Sequence, residues 1–210
     1  MVMSKSKEKL KYVFYTITHP MDGFYEIRHR GRGSVPLAVL LVFLFALCFS
    51  ANRQYAGFVV NNLNPMSINS FMEILSVFVL FFLFCVGNWS ITCLMNGEGR
   101  LKDIVTVTGY AMLPMILTFS PAIILSRFVA ADEEAFYYLL MGAGIVWFVL
   151  LVVSGIMTVH NYTVGKTVFT MILTFAAMLI IIFLMILMYS LLGQVVSFIG
   201  SMYNELMLRI

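Results

Sequence analysis

Five long stretches of this chain hold no Lys, Arg, Asp or Glu: residues 33–52, 74–97, 104–126, 135–165 and 167–204. A helix needs about 20 apolar residues to cross the hydrocarbon layer. In lipid every backbone N–H and C=O must be paired within the segment, so each such run has one economical solution, a spanning helix. Only 11% of the residues are charged, against about a quarter in a soluble domain, which rules out a water-soluble fold. A sixth charge-free run, 54–72, contains "NNLNPMSINS" and is too polar to span. The expected fold class is therefore all-α: a polytopic membrane protein, a bundle of five transmembrane helices with a short amphipathic cytosolic N-terminal helix. The spans are placed at about 35–55, 71–94, 104–127, 136–158 and 168–192 from the length each helix needs.

Local signals mark the helix ends. Ser34 with Pro36 reads as a start, since proline's missing N–H costs nothing in a first turn. Ser70-Phe71-Met72-Glu73 reads as a capping box, which gives Glu73 a structural role rather than an ion site. Residues 1–34 are polar and basic, and the run from Val35 is too long for a signal peptide and lacks a small-residue cleavage site, so the first apolar segment is expected to stay in the membrane. Lys and Arg then set the orientation. Residues 1–34 carry Lys5, Lys7, Lys9, Lys11, Arg28, Arg30 and Arg32, the 95–103 loop adds Arg100 and Lys102, and 159–167 adds Lys166. The other side holds Arg53, Arg127 and Arg209 with the acidic run Asp132-Glu133-Glu134. Ten against three places the N-terminus in the cytosol and the C-terminus outside, because cytosolic loops collect basic residues.

Three units follow: a cytosolic segment 1–34, a five-span membrane domain 35–193 and an extracytosolic amphipathic tail 194–210. Leu10, Val13, Phe14 and Ile17 recur at helical spacing with lysines between them, the pattern of an interfacial helix on anionic lipid. Basic residues beside a membrane segment need no nucleic acid to explain them. In the tail, Val195, Ile199, Met202, Tyr203 and Leu206 share a helical face. They either lie along the outer leaflet or extend the fifth span past Gly193.

Chemistry-bearing patterns are scarce. Asn96-Gly97-Glu98-Gly99 lacks the Lys-Ser/Thr of a phosphate-binding loop. A tight turn using glycine's freedom at positive φ accounts for Gly97 and Gly99, with Asp103 capping the next helix. Pro114 and Pro121 are expected to kink the third span on roughly one face, each freeing a carbonyl, as in the broken helices of transporters. No acid or lysine sits at mid-membrane, where coupled transporters place one. Gly142, Ala143, Gly144, Ser154 and Gly155 look like close-contact positions. Cys48, Cys85 and Cys93 fall in apolar runs as buried thiols, and no Cys/His spacing points to a metal. There is no HExxH, no GxSxG and no pair of intramembrane aspartates, so neither catalytic residues nor a cofactor is expected. His19, His29 and His160 are expected as solvated boundary residues. The competing arrangement would bring His160-Asn161, Lys166, the 95–103 loop and the N-terminal segment together on one face.

The glycine-rich loop followed by "VTGYAMLPM", with "HPMDGFYEIRHRGRGS" before the first span and "HNYTVGKTVF" before the last, resembles the Yip/Yif family (Ypt-interacting proteins). The likeness spans about residues 18–193 and rests on motif order and spacing. In that family a Gly-Tyr pair followed four residues later by Pro opens the third span; here these are Gly109, Tyr110 and Pro114. The resemblance implies a polytopic, non-enzymatic protein, its eukaryotic members interacting with Rab-type GTPases in vesicle formation. This chain lacks the long cytosolic domain, the Asp-Leu-x-Gly-Pro motif and the acidic stretch tied to GTPase contact, which argues against a Rab-type partner. It looks more like the short bacterial members. The expectation is a binding or membrane-organising protein of a bacterial plasma membrane, docking lipid or a membrane or cytosolic protein partner on its cytosolic face. Candidate residues are Phe24, Tyr25, Arg28, Arg100, Gly109, Tyr110 and Lys166, with kinks at Pro114 and Pro121. The alternative is a small transporter or permease, or an accessory subunit of a transport complex.

Overall fold

The computed structural model describes residues 11–61, 64 and 67–208. Lys5, Lys7, Lys9, Leu10 and Arg209 lie outside the described residues, as does the side chain of Leu206. Among those described the chain is all helix, with no strand. The helices are α1 (11–18), α2 (Pro20–His29), α3 (Val35–Tyr55), α4 (Ser70–Leu94), α5 (Leu101–Ala111), α6 (Leu113–Leu125), α7 (Glu134–His160) and α8 (Val164–Leu208). Among the described residues five helical segments are long and apolar enough to cross a membrane, the third being α5 and α6 together. α8 continues through Gly193 without interruption.

The third span is the centre of the bundle. Residues 103–114 are buried without a break, which no other span matches. The helix is interrupted at Met112, two residues before Pro114, although Met112 keeps right-handed dihedrals (φ −69°, ψ −17°). Proline at 114 has no N–H to return to the Tyr110 carbonyl, so the regular ladder stops there. Helix α6 runs on through Pro121.

Glycines set the closest approaches. A Cβ on Gly109 would sit 2.6 Å from the Ala38 Cβ and 2.8 Å from its carbonyl oxygen, which locks α5 against α3. At Gly155 a Cβ would meet Val107 at 2.3 Å and the Phe24 ring at 3.2 Å, and at Gly144 the Thr118 hydroxyl at 2.0 Å. Gly142 has open space around it and Ala143 is exposed, so of the small residues in α7, Gly144 and Gly155 make the helix contacts. Between α4 and α8 the link is polar: the buried Asn88 amide donates to Thr174 Oγ1 at 3.0 Å. Thr167, Thr170 and Thr174 are all buried, their hydroxyls returned to carbonyls of their own or the preceding turn.

Several expectations need correction. Val13 and Ile17 are buried together with Tyr12 and Thr16, while Phe14 is exposed. The apolar face of α1 is thus spent on the protein: Gly23 lets Thr16 approach α2 closely, and the Tyr12 hydroxyl donates to the Gly23 carbonyl. At α4 the cap is Asn69, whose side chain accepts from the Phe71 N–H at 3.1 Å. Ser70 is already helical, and Glu73 forms an ion pair with Arg53 at 3.0 Å. Of the cysteines only Cys85 is buried; Cys48 is half-buried and Cys93 exposed.

Replacing Gly109 by Ala should lower stability by about 1–3 kcal/mol, because the neighbouring atoms include backbone that must shift. The same change at Gly142 should be neutral or stabilise by up to about 1 kcal/mol through helix propensity. Thermal unfolding of the two variants in the same detergent separates a helix joint from a free helix surface.

Candidate functional site

At the end of the bundle where α4 and α7 stop and α5 and α8 start, three segments distant in sequence meet. Both arriving helices end in the same way. Asn96 and Asn161 take left-handed dihedrals (φ 55° and 56°), and the next residue reaches back five positions: Gly97 N–H to Thr92 O at 2.7 Å, Tyr162 N–H to Met157 O at 3.0 Å. These are Schellman closures with asparagine in place of glycine. The left-handed residue in the loop is therefore Asn96, not Gly97 or Gly99. The two glycines are required by crowding instead. A Cβ on Gly97 would meet His160 Nδ1 at 2.5 Å and the Tyr162 hydroxyl at 2.7 Å; one on Gly99 would meet Val159 at 2.5 Å and His160 Cε1 at 2.8 Å.

His160 sits in the middle of this junction, 1% exposed, which corrects its reading as a solvated boundary residue. Its Nδ1 accepts the Gly99 N–H at 3.2 Å, and its ring stacks on Tyr162 with centroids 5.4 Å apart. The accepting Nδ1 implies that the ring proton is on Nε2, which has no partner among the described residues. Tyr162 donates its hydroxyl to the Met95 carbonyl at 3.1 Å, tying the α7–α8 loop to the end of α4. Burial pushes the Tyr162 phenol upward, so it stays a donor. Lys166 lies over the Tyr162 ring, 4.0 Å from its centroid.

From the N-terminal segment comes Arg28. One guanidinium nitrogen donates to the Val159 carbonyl at 2.7 Å, and another pairs with Glu98. The Arg28 side chain is 18% exposed and that of Glu98 55%. The hydrogen bond from Arg28, followed by its charge, holds the Glu98 carboxyl below the usual range. Asp103 completes the turn by accepting the Arg100 N–H at 3.1 Å.

The candidate residues thus divide. Arg28, Lys166 and Arg100 lie at the junction, with Arg100 exposed. Tyr25 is 51% exposed and stacks on His29 at 4.0 Å, and His19 stacks likewise on Tyr15 at 4.9 Å. Phe24 and Tyr110 are buried, and Gly109 is pressed against α3. Tyr110 accepts the Ser34 N–H at 3.0 Å on its hydroxyl. Glu98 and Tyr162 carry contacts that the sequence reading missed. The asparagine just past each apolar run was the available signal for the two helix ends.

No group of three His, Cys, Asp or Glu able to hold a metal occurs among the described residues. Fold and junction define a helical integral membrane protein with five spans. A family model described as the Yip1 domain matches residues 14–188, and the chain belongs to the Yip family. No curated protein matches it, and no solved structure does.

Glu98, with its depressed pKa, contributes to stability when ionised. That contribution is present above the ordinary carboxylate value, about 4, and is lost as pH falls through the lower folded value. Glu98→Gln should therefore lower the unfolding midpoint slightly at neutral pH and decline less than wild type under acid. Melting curves of both proteins from pH 7 to pH 3 check this; parallel declines would remove the Arg28–Glu98 pair as a contributor.

Proposed function

We propose that this chain is a non-enzymatic binding or membrane-organising protein of a bacterial plasma membrane. Its N-terminus is in the cytosol and its C-terminus outside, and it docks a membrane or cytosolic protein partner on the junction end of the bundle. The observation that carries this reading is the convergence of Arg28, the 96–100 loop and the 160–166 segment, which holds three distant pieces of chain as one fixed surface. Around that surface Tyr25, Arg100 and Lys102 are exposed. Exposed tyrosine and arginine on a rigid base are the residue types that dominate binding energy at interfaces. Phe14, Tyr15 and Met21, also exposed on α1 and α2, are the side chains offered to lipid there. Rab-type GTPases are left out of this proposal, because "HPMDGFYEIRH" stands where the family's GTPase-contact motif would be.

The transport alternative would need a hydrophilic path beside Pro114. Met112, Leu113, Pro114 and Phe119 are buried together in apolar packing, which favours the binding reading.

Because Phe24 and Tyr110 are inside the packing, the informative variant is Tyr25→Ala with Arg100→Ala. Pull-down from native membranes in mild detergent should recover a specific partner with the wild type and at least about tenfold less with the double variant, as expected when interface anchors are truncated. Equal recovery from both, with the variant's melting curve unchanged, would sink the docking-face reading.

A further inference from the structure

A buried donor left without an acceptor costs stability, and in native proteins it marks a water, an ion or a ligand. His160 presents such a donor at the junction. Its Nδ1 is taken by the Gly99 N–H, so the ring proton is on Nε2, and that atom is buried without a partner among the described residues. The Nε2 edge of the ring lies against Gly99, 3.0 Å from where a Cβ on that residue would stand. Gly99 immediately precedes Arg100, the cap of α5. The orphaned N–H therefore faces the start of that helix.

The surroundings of this N–H are positive. Helices α5 and α8 both begin at this end, and a helix N-terminus carries N–H groups without intrahelical acceptors and the positive end of the helix dipole. The charges that reach the His160 ring are those of Arg28 and Lys166. Ion pairing among the described residues places Arg28 on Glu98 but leaves Arg100, Lys102 and Lys166 without an acid. Asp103, the other acid here, accepts the Arg100 N–H. A water would satisfy Nε2 and leave the excess charge; an anion answers both. Arg28 has donors to spare for one. It uses one nitrogen on the Val159 carbonyl and another on Glu98, while a guanidinium carries five N–H groups in a planar fork.

We propose that the junction binds one phosphate group, a phosphate oxygen accepting the His160 Nε2–H while Arg28 and Lys166 hold the charge. Glu98 is the competing anion, occupying the Arg28 fork and repelling a phosphate that approaches. The same chemistry serves a lipid headgroup, whose phosphate lies at the depth where the spans end, and a free phosphate ion. Neither Tyr25 nor Arg100, the pair on which the protein-docking test turns, is needed for it, so each reading stands or falls without the other.

Binding is measured on the full chain in an uncharged, phosphate-free detergent, titrated in one arm with inorganic phosphate and in the other with short-chain phosphatidylglycerol. In protein carrying isotope-labelled histidine, the Nε2 resonance that disappears in His160→Asn should move saturably. An asparagine oxygen can accept the Gly99 N–H in place of Nδ1 but leaves nothing at the Nε2 position. His160→Asn should therefore bind at least tenfold more weakly, with a melting curve close to that of wild type. Lys166→Gln should weaken binding several-fold, and Glu98→Gln should tighten it several-fold, because a like charge beside the bound anion is gone. A response to phosphatidylglycerol alone supports the site as a headgroup site, and a response to inorganic phosphate supports it as a site for the free ion. A resonance unmoved by both probes, or a Glu98→Gln protein that binds no more tightly than wild type, would overturn the proposal, and both readouts remain if His160→Asn does not fold.

Discussion

A helix that ends at a membrane surface still has four carbonyls or four N–H groups without partners, and lipid offers none. Much of what is distinctive in this chain answers that constraint. Helix α4 ends on a Schellman closure, with the Tyr162 hydroxyl on the Met95 carbonyl. Helix α7 ends on the matching closure, with Arg28 on the Val159 carbonyl. Helix α3 begins with its Ser34 N–H on the Tyr110 hydroxyl, and α5 with the Arg100 N–H on Asp103. Side chains distant in sequence supply several of these partners, so satisfying helix ends also joins the segments.

This explains why the junction is both polar and rigid. Arg28 neutralises Glu98 while it caps α7, and His160 holds the 96–100 loop through a backbone N–H rather than through another side chain. Gly97 and Gly99 are small so that the imidazole and phenol can fill the space beside them. A loop of this composition in water would be mobile. Here it is clamped between two helix ends, and the charge left over faces outward on Arg100 and Lys102.

The architecture was legible for a simple reason: an uncharged run of sufficient length has few alternatives in a membrane, so the five spans follow from counting. The family motifs were legible too, as an ordered set. Burial and partner choice at the helix ends were not. Periodicity placed Val13 and Ile17 on a lipid face, but nothing in the spacing shows that Gly23 opens a protein surface for them. Ser70 and Glu73 have the spacing of a capping box, yet Asn69 starts one residue earlier and releases Glu73 to meet Arg53. His160 looked like a boundary histidine because its neighbours in sequence are polar; its neighbours in space come from residues 97–99 and 162. Apart from the local Asn69 cap, these misses are contacts between separate elements, which a one-dimensional pattern does not encode.

The Gly-Tyr-x-x-x-Pro motif can be given a physical content. Gly109 removes a side chain, so α5 lies against Ala38 on α3 at a distance no other residue permits. That approach brings the Tyr110 hydroxyl to Ser34 N–H, at the point where the basic segment turns into the membrane. Pro114 withholds an N–H from the Tyr110 carbonyl, and the helix is interrupted at Met112 before α6 leans onto α7. The three residues act in order as contact, cap and bend, and they sit in the one stretch of the bundle buried without a break. A partner cannot touch them there. Their influence on any docking surface is exerted through the position they impose on residues 20–34, and hence on Arg28. The motif therefore identifies a joint of the fold, while the polar junction itself is formed by other residues, among them Arg28, Glu98, His160 and Tyr162.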